Sequence, residues 1–186
     1  MMQGLQAMKD SAALLVYWDG EASDISWPEP CIVEYVTNGQ GGINSMSKEA
    51  VNAMIADQDM SVHDLISIGN IRKKYPPQTS TEKTVMQTVI GDMMSAYPSE
   101  SYGIIFGSHG SGWLPTITGT RSIGQDGGRY SSDTALIPEL AEVLRTVNPQ
   151  KFDFVLFDAC MMGWMLPDTV SLLYLIYRQP DFLMQV

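Results

Sequence analysis

Five runs in this chain are apolar almost without interruption: "ALLVYW" (13–18), "CIVEYV" (31–36), "YGIIFG" (102–107), "FDFVLFD" (152–158) and "DFLMQV" (181–186). A strand with one wet face alternates apolar and polar residues. An unbroken apolar run needs cover on both faces, as in parallel sheets flanked by helices. "DLISIG" (64–69) reads as a weaker sixth strand.

Helix-like segments separate these runs. From about Ser80, Val85, Met86, Val89, Ile90, Met93, Met94 and Tyr97 recur on one face, and Thr79 and Glu82 have capping-box spacing. This helix should stop before Pro98. A second is expected from about Ala135, striped by Leu136, Ile137, Leu140, Val143, Leu144 and Val147, with Pro138 tolerable near the first turn. "SKEAVNAMIAD" (47–57) is a shorter amphipathic piece, and the methionines read as core filler. The Gly-rich "TITGTRSIGQDGGRYSSD" (116–133) reads as a functional or cleavable loop. Strands alternating with helices, without repeats, place the chain in the α/β class.

With 186 residues, 45% of them hydrophobic, the chain can bury one sizeable core, and a single domain over 1–186 is expected. Its net charge of −10 excludes the basic surface that nucleic acid requires. Two cysteines, Cys31 and Cys160, are too few for a disulfide scaffold. The amino terminus, "MMQGLQAMKD", carries no signal-peptide pattern, and no run reaches the roughly 18 apolar residues of a membrane span. The chain reads as soluble.

Chemistry gathers where two of the strands end. "YGIIFG" breaks into Ser108, His109, Gly110, Ser111 and Gly112, and "FDFVLFD" ends in Asp158, Ala159, Cys160, Met161, Met162 and Gly163. In open α/β sheets ligands bind outside the carboxyl ends of the strands. If the two strands are parallel neighbours, His109 and Cys160 share one edge. An imidazole beside a thiol favours the nucleophilic thiolate and can later protonate a departing amine. Taken singly, a strand-end cysteine is more often a buried inert thiol, and a histidine there a turn residue; the joint placement favours the reactive reading. Ser108 and Ser111 lack the strand–turn–helix elbow of a serine nucleophile and read as turn residues. His63 reads as a surface or helix-start histidine, and Cys31 as core. No cluster has the spacing of zinc ligands or of an EF-hand, so no metal site is expected.

The segments "YPSESYGIIFGSHGSGW" (97–113), "SIGQDG" (122–127) with the following "IPELAEVL", and "FDFVLFDACMMG" (152–163) together resemble the clostripain family of cysteine peptidases, within the caspase, gingipain and legumain group. With "LLVYWD" near the start, the resemblance covers most of residues 12–163. The interval from His109 to Cys160 is also close to the roughly 50 residues that caspases show. The resemblance implies a caspase-like three-layer sandwich, a mainly parallel sheet flanked by helices. It also implies a cysteine endopeptidase that cleaves protein or peptide substrates after Arg or Lys. Cys160 is then the nucleophile, His109 the general base and acid, and the Gly110 and Cys160 N–H groups the oxyanion donors. Asp158 has three readings: lining a pocket for a basic P1 side chain, acting electrostatically on His109, or capping the next turn. Trp113 either stacks over the substrate cleft or packs. Arg121 and Arg129, in the Gly-rich stretch, are either self-processing sites or ordinary loop arginines. The family habit is export, and some relatives depend on calcium, which this sequence neither supports nor excludes; no cofactor is expected.

After Gly163 the chain departs from the family pattern, with Trp164, Met165, Leu166 and Pro167 leading into the apolar "TVSLLYLIY" (169–177), and the family's C-terminal portion is expected to be missing. That leaves a catalytically inactive or incomplete caspase-like module, with a binding or regulatory role, as the main rival. An unrelated doubly wound ligand-binding domain is a weaker one, because the acidic "WDGEASD" after the first strand would repel a phosphate.

Overall fold

A computed structural model describes residues 13–19, 29–57, 61–100, 102–108, 122–126, 133–148 and 152–159. The described residues are α/β and fall into two compact units that divide after Gln78, with 95–97 grouped with the first.

In the first unit, β1 (Ala13–Trp18) and β3 (Asn70–Lys74) flank β2 (Cys31–Val36), both antiparallel to it. The two helices are α1 (Lys48–Ala56) and α2 (Val62–Ile68). Side chains alternate across a strand, so Cys31, Val33 and Tyr35 share one face of β2. They form a core with Ile43, Val51 of α1 and Ile66 of α2, while Leu14, Val16 and Trp18 pack against it from β1. The Tyr35 hydroxyl donates to Leu65 O at 2.9 Å and accepts from Trp18 Nε1 at 3.3 Å, so the one polar atom of this ring is satisfied inside. Burial pushes its pKa up.

Opposite this core, Glu34 is 2% exposed and accepts from Arg72 Nη2 at 2.7 Å on both oxygens. Asn44, at φ 52°, accepts from Val36 N and donates to Ile68 O, tying the end of α2 to β2. The next residue along, Gly69, lies so close to β2 that a Cβ there would stand 2.0 Å from Val33 Cγ1.

The second unit carries the strands of interest. α3 (Lys83–Ala96) and α4 (Ile137–Val147) bury Met86, Ile90, Leu140 and Val143 with Phe152. Against this core lie Ile104 and Phe106 of β4 (Gly103–Ser108) and Val155 and Phe157 of β7 (Phe154–Ala159). A Lys83–Glu142 ion pair joins the helices and holds the Glu142 carboxyl below its ordinary pKa. The β4–β7 pair is parallel, whereas β5 (Ser122–Asp126) and β6 (Asp133–Leu136) form a separate antiparallel pair.

Several sequence expectations need correction. "DLISIG" is not a strand: Ser61 and Asp64 form a complete capping box, and the segment is helix α2. Thr79 and Glu82 make a turn, Glu82 N donating to Thr79 O, and α3 starts at Lys83. Residues 133–136, expected partly as helix, are β6, and the Gly-rich 116–133 stretch contains β5. Among the described residues the sheets are mixed, with β4–β7 the one parallel pairing. The expected strand at 181–186 lies outside the described residues.

Candidate active site

The geometry at the carboxyl ends of β4 and β7 is set from their amino ends. Asp153 N donates to Tyr102 O at 2.7 Å, and Ser99 N donates to the Tyr102 hydroxyl at 2.7 Å, so both strands start from one fixed point. From there the register runs without a shift, Gly103 opposite Phe154 through Gly107 opposite Asp158 to Ser108 opposite Ala159. Phe106 and Phe157 stack at 5.6 Å between ring centroids, with 18° between their planes, on the face that packs against the helices. This stack lies two positions before the last pair. Because the strands are parallel and end together, their tips emerge at one edge, the arrangement the sequence required. His109 is the next residue after Ser108, and Cys160 the next after Ala159.

His109, Gly110, Trp113, Arg121, Arg129 and Cys160 lie outside the described residues. Asp158 is described through its backbone, as the register partner of Gly107. A Cβ on Gly107 would meet nothing within 4 Å, so there is open space next to the Asp158 position. Sequence reasoning did not single out Gly107; its signal was a glycine interrupting an apolar strand one residue before its end.

The remaining candidates behave as ordinary structure. Cys31 is a free thiol, 1% exposed, and burial pushes its pKa up, with nearby Lys74 opposing. That favours the unreactive thiol. His63 is exposed in the first turn of α2, as its sequence context suggested. Among the described residues no cluster of His, Cys, Asp and Glu has the arrangement of a metal site, and no helix is long and apolar enough to cross a membrane.

Comparison with known proteins bears directly on this edge. The family model of the clostripain family, Peptidase C11, matches residues 1–174. Among solved structures, the chain is similar to a secreted C11 cysteine protease from Bacteroides thetaiotaomicron, whose X-ray structure holds an irreversible peptide inhibitor. The identity is 30% and the TM-score 0.53, and the match covers 87% of this chain. The same match covers 36% of that protease, so this chain spans little more than a third of its length. No curated protein matches the chain.

Proposed function

Because the chain belongs to the clostripain family, we propose that it carries the catalytic dyad of a cysteine endopeptidase, with Cys160 as nucleophile and His109 as general base and acid. The observation that carries this reading is the in-register parallel pairing of β4 and β7, which ends on Ser108 and Ala159. Neighbouring strands run about 4.8 Å apart, so the residues that follow such a pair start within reach of one another.

In the proposed reaction His109 takes the Cys160 proton, and the thiolate sulfur attacks the scissile carbonyl carbon. The Gly110 and Cys160 N–H groups stabilise the tetrahedral oxyanion. As the C–N bond breaks, His109 returns the proton to the leaving amine, and a thioester remains on Cys160. His109 then deprotonates a water, whose oxygen displaces the thiolate and releases the carboxylate product. Preference for Arg or Lys at P1 follows family resemblance, with Asp158 the acid nearest the dyad in the sequence. The open space at Gly107 supports a substrate group approaching beside it. Self-processing at Arg121 or Arg129 belongs to the same reading, since both flank β5 in the segment that joins the two catalytic strands. So do export of the protein and a single caspase-like three-layer domain with a mainly parallel sheet.

The decisive experiment is mass-spectrometric labelling by a thiol-reactive peptide ketone with Arg or Lys at P1. Adducts confined to Cys160, lost in Cys160→Ala and greatly slowed in His109→Ala, are expected. A folded chain that takes no label overturns the enzyme reading for these residues. It would favour the second reading, a catalytically inactive caspase-like module with a binding or regulatory role.

A further inference from the structure

The chain holds one Asn–Gly dipeptide, Asn38–Gly39, and the fold sets it in a loop just beyond β2. The other asparagines precede larger residues: Asn44 a serine, Asn52 an alanine, Asn70 an isoleucine and Asn148 a proline. The loop is anchored where it leaves and rejoins the first unit. Thr37 bridges to the fully buried Ile43, and Asn38 N donates to Gly42 O at 3.2 Å. Between these anchors Asn38, Gly39 and Gln40 are exposed, so water reaches them.

The atoms of an intramolecular addition are each engaged in the sense that favours it. Asn38 Oδ1 accepts from Gln40 N and from Gly42 N, both at 3.0 Å, so two N–H groups polarise the side-chain carbonyl as an oxyanion hole does. The bond from Gln40 N closes a turn over the peptide that joins residues 38 and 39, which holds Asn38 Cγ near Gly39 N. Gly39 N donates to Thr37 Oγ1 at 3.3 Å, toward an acceptor for the proton that this nitrogen must lose. The leaving group is held weakly, Nδ2 donating to Met46 O at 3.4 Å. Gly39 has φ 74°, and an added Cβ would meet nothing within 4 Å, so no neighbour crowds the attacking residue.

We propose that Asn38 is a site of spontaneous deamidation in the folded protein, assisted by this loop. Gly39 N loses its proton and bonds to Asn38 Cγ. The Cγ–Nδ2 bond then breaks, Nδ2 takes up a proton and leaves as ammonia, and a cyclic succinimide remains. Water adds to one of the two ring carbonyls, and breaking its bond to Gly39 N gives aspartate in one case and isoaspartate in the other. Nothing is oxidised or reduced, and water is the sole co-reactant. Either product adds a negative charge to a chain already at −10. An aspartate keeps the acceptor for Gln40 N and Gly42 N, but it loses the donor to Met46 O and sets a carboxylate oxygen against that carbonyl. The site stands apart from the proposed peptidase chemistry and does not depend on it.

The test incubates the folded full chain at mildly alkaline pH, with Cys160→Ala to exclude self-cleavage, and follows its peptides by mass spectrometry. The peptide containing residue 38 should gain one mass unit, passing through a form lighter than the parent by one ammonia. Peptides containing Asn44, Asn52, Asn70 or Asn148 should keep their mass over the same period. Thr37→Val removes the acceptor of the Gly39 N–H and should slow the gain severalfold, and Thr37→Ser, which restores a hydroxyl, should recover most of the rate. Circular dichroism identical to the parent's shows that both variants are folded. A residue-38 peptide that keeps its mass, or gains it no faster than the Asn52 peptide, would overturn the proposal. So would equal rates in the parent and both Thr37 variants, which would leave no part for the loop. Gly39→Ala gives an independent reading: its methyl group crowds the attacking nitrogen, so the gain should slow severalfold, and an unchanged rate would exclude the succinimide route.

Discussion

Two glycines in this chain meet an added methyl group at nearly the same distance, yet should respond oppositely to Gly→Ala. At Gly69 the new Cβ stands 2.0 Å from Val33 Cγ1 and 3.0 Å from the Tyr35 ring; at Gly103 it stands 2.1 Å from two ring carbons of Phe154. The difference lies in what can yield. Val33 and Tyr35 are both 0% exposed, and Tyr35 is further tethered through its hydroxyl, whereas Phe154 is 47% exposed and can swing outward. Backbone strain does not enter at Gly69, whose φ of −89° and ψ of 170° suit any residue. Overpacking a filled core costs about 1–3 kcal/mol, and a contact this short belongs at the upper end. The alanine gains back about 0.4–1 kcal/mol by restricting the unfolded chain. Gly69→Ala should therefore destabilise by about 2 kcal/mol, and Gly103→Ala should change stability by less than about 1 kcal/mol. Urea unfolding followed by far-ultraviolet circular dichroism, with hydrogen exchange at β2 amides, measures both. Adding Val33→Ala removes the clashing Cγ1, so the double variant should beat the sum of the singles by about 1 kcal/mol or more. A Gly69→Ala protein as stable as the parent, or strictly additive effects, would refute the close packing of Gly69 on β2.

Other expectations follow from the described side chains. Alkylation of the native protein near neutral pH should modify Cys160 roughly tenfold or more faster than Cys31, because burial holds the Cys31 thiol neutral and inaccessible; peptide mapping that finds Cys31 modified first would contradict this. Arg72→Ala removes the 2.7 Å contacts to the buried Glu34 carboxylate and leaves it the longer bond from Asn70 Nδ2 at 3.4 Å, and should cost about 1–3 kcal/mol in equilibrium unfolding. The Ser61 hydroxyl, then the Ser61 N–H, hold the Asp64 carboxyl below its ordinary pKa. A depressed carboxylate pKa stabilises the folded state above the unfolded pKa and loses that contribution as pH falls through the folded one, so exchange protection in α2 should fade on acidification, and less so in Ser61→Ala, which has already lost the hydroxyl bond. Phe157→Ala should slow ketone labelling of Cys160 with its pH profile unchanged, and Phe157→Leu should restore much of the rate; equal labelling in all three would mean that the aromatic stack does not position the strand ends.

The strands that carry the candidate site were legible because their apolar runs are long and their boundaries abrupt. Both ends of the β4–β7 register could be read to within two residues from "YGIIFG" and "FDFVLFD". Segment 64–69 misled for a physical reason: a short apolar run has no period long enough to separate strand from helix, and the deciding signal, Ser61 with an aspartate three residues on, lies at its edge. β3, "NIRKK", was missed because an exposed edge strand needs no apolar pattern, and its basic side chains suit a sheet edge. The pairing of β5 with β6 was hidden by glycines, which made the segment read as loop. The Glu34–Arg72 contact joins residues far apart in sequence, and nothing local in either strand announces it.

The register of β4 and β7 links the packing of the second unit to its chemistry. A strand that slips by one residue turns every side chain to the opposite face. Here a slip of β7 would drive Phe154 and Leu156 toward the α3–α4 core and withdraw Val155 and Phe157 from it, undoing the stack with Phe106. It would also move Asp158 away from Gly107 and end β7 one residue out of step with β4. The groups buried behind the sheet therefore determine which residues leave it side by side. For a thiol and an imidazole that must exchange a proton across a hydrogen bond, an offset of one residue, roughly 3.3 Å, exceeds the tolerance of the reaction. The apolar face packed against Leu140 and Val143 is in this sense part of the catalytic apparatus proposed here, although none of its side chains would touch a substrate.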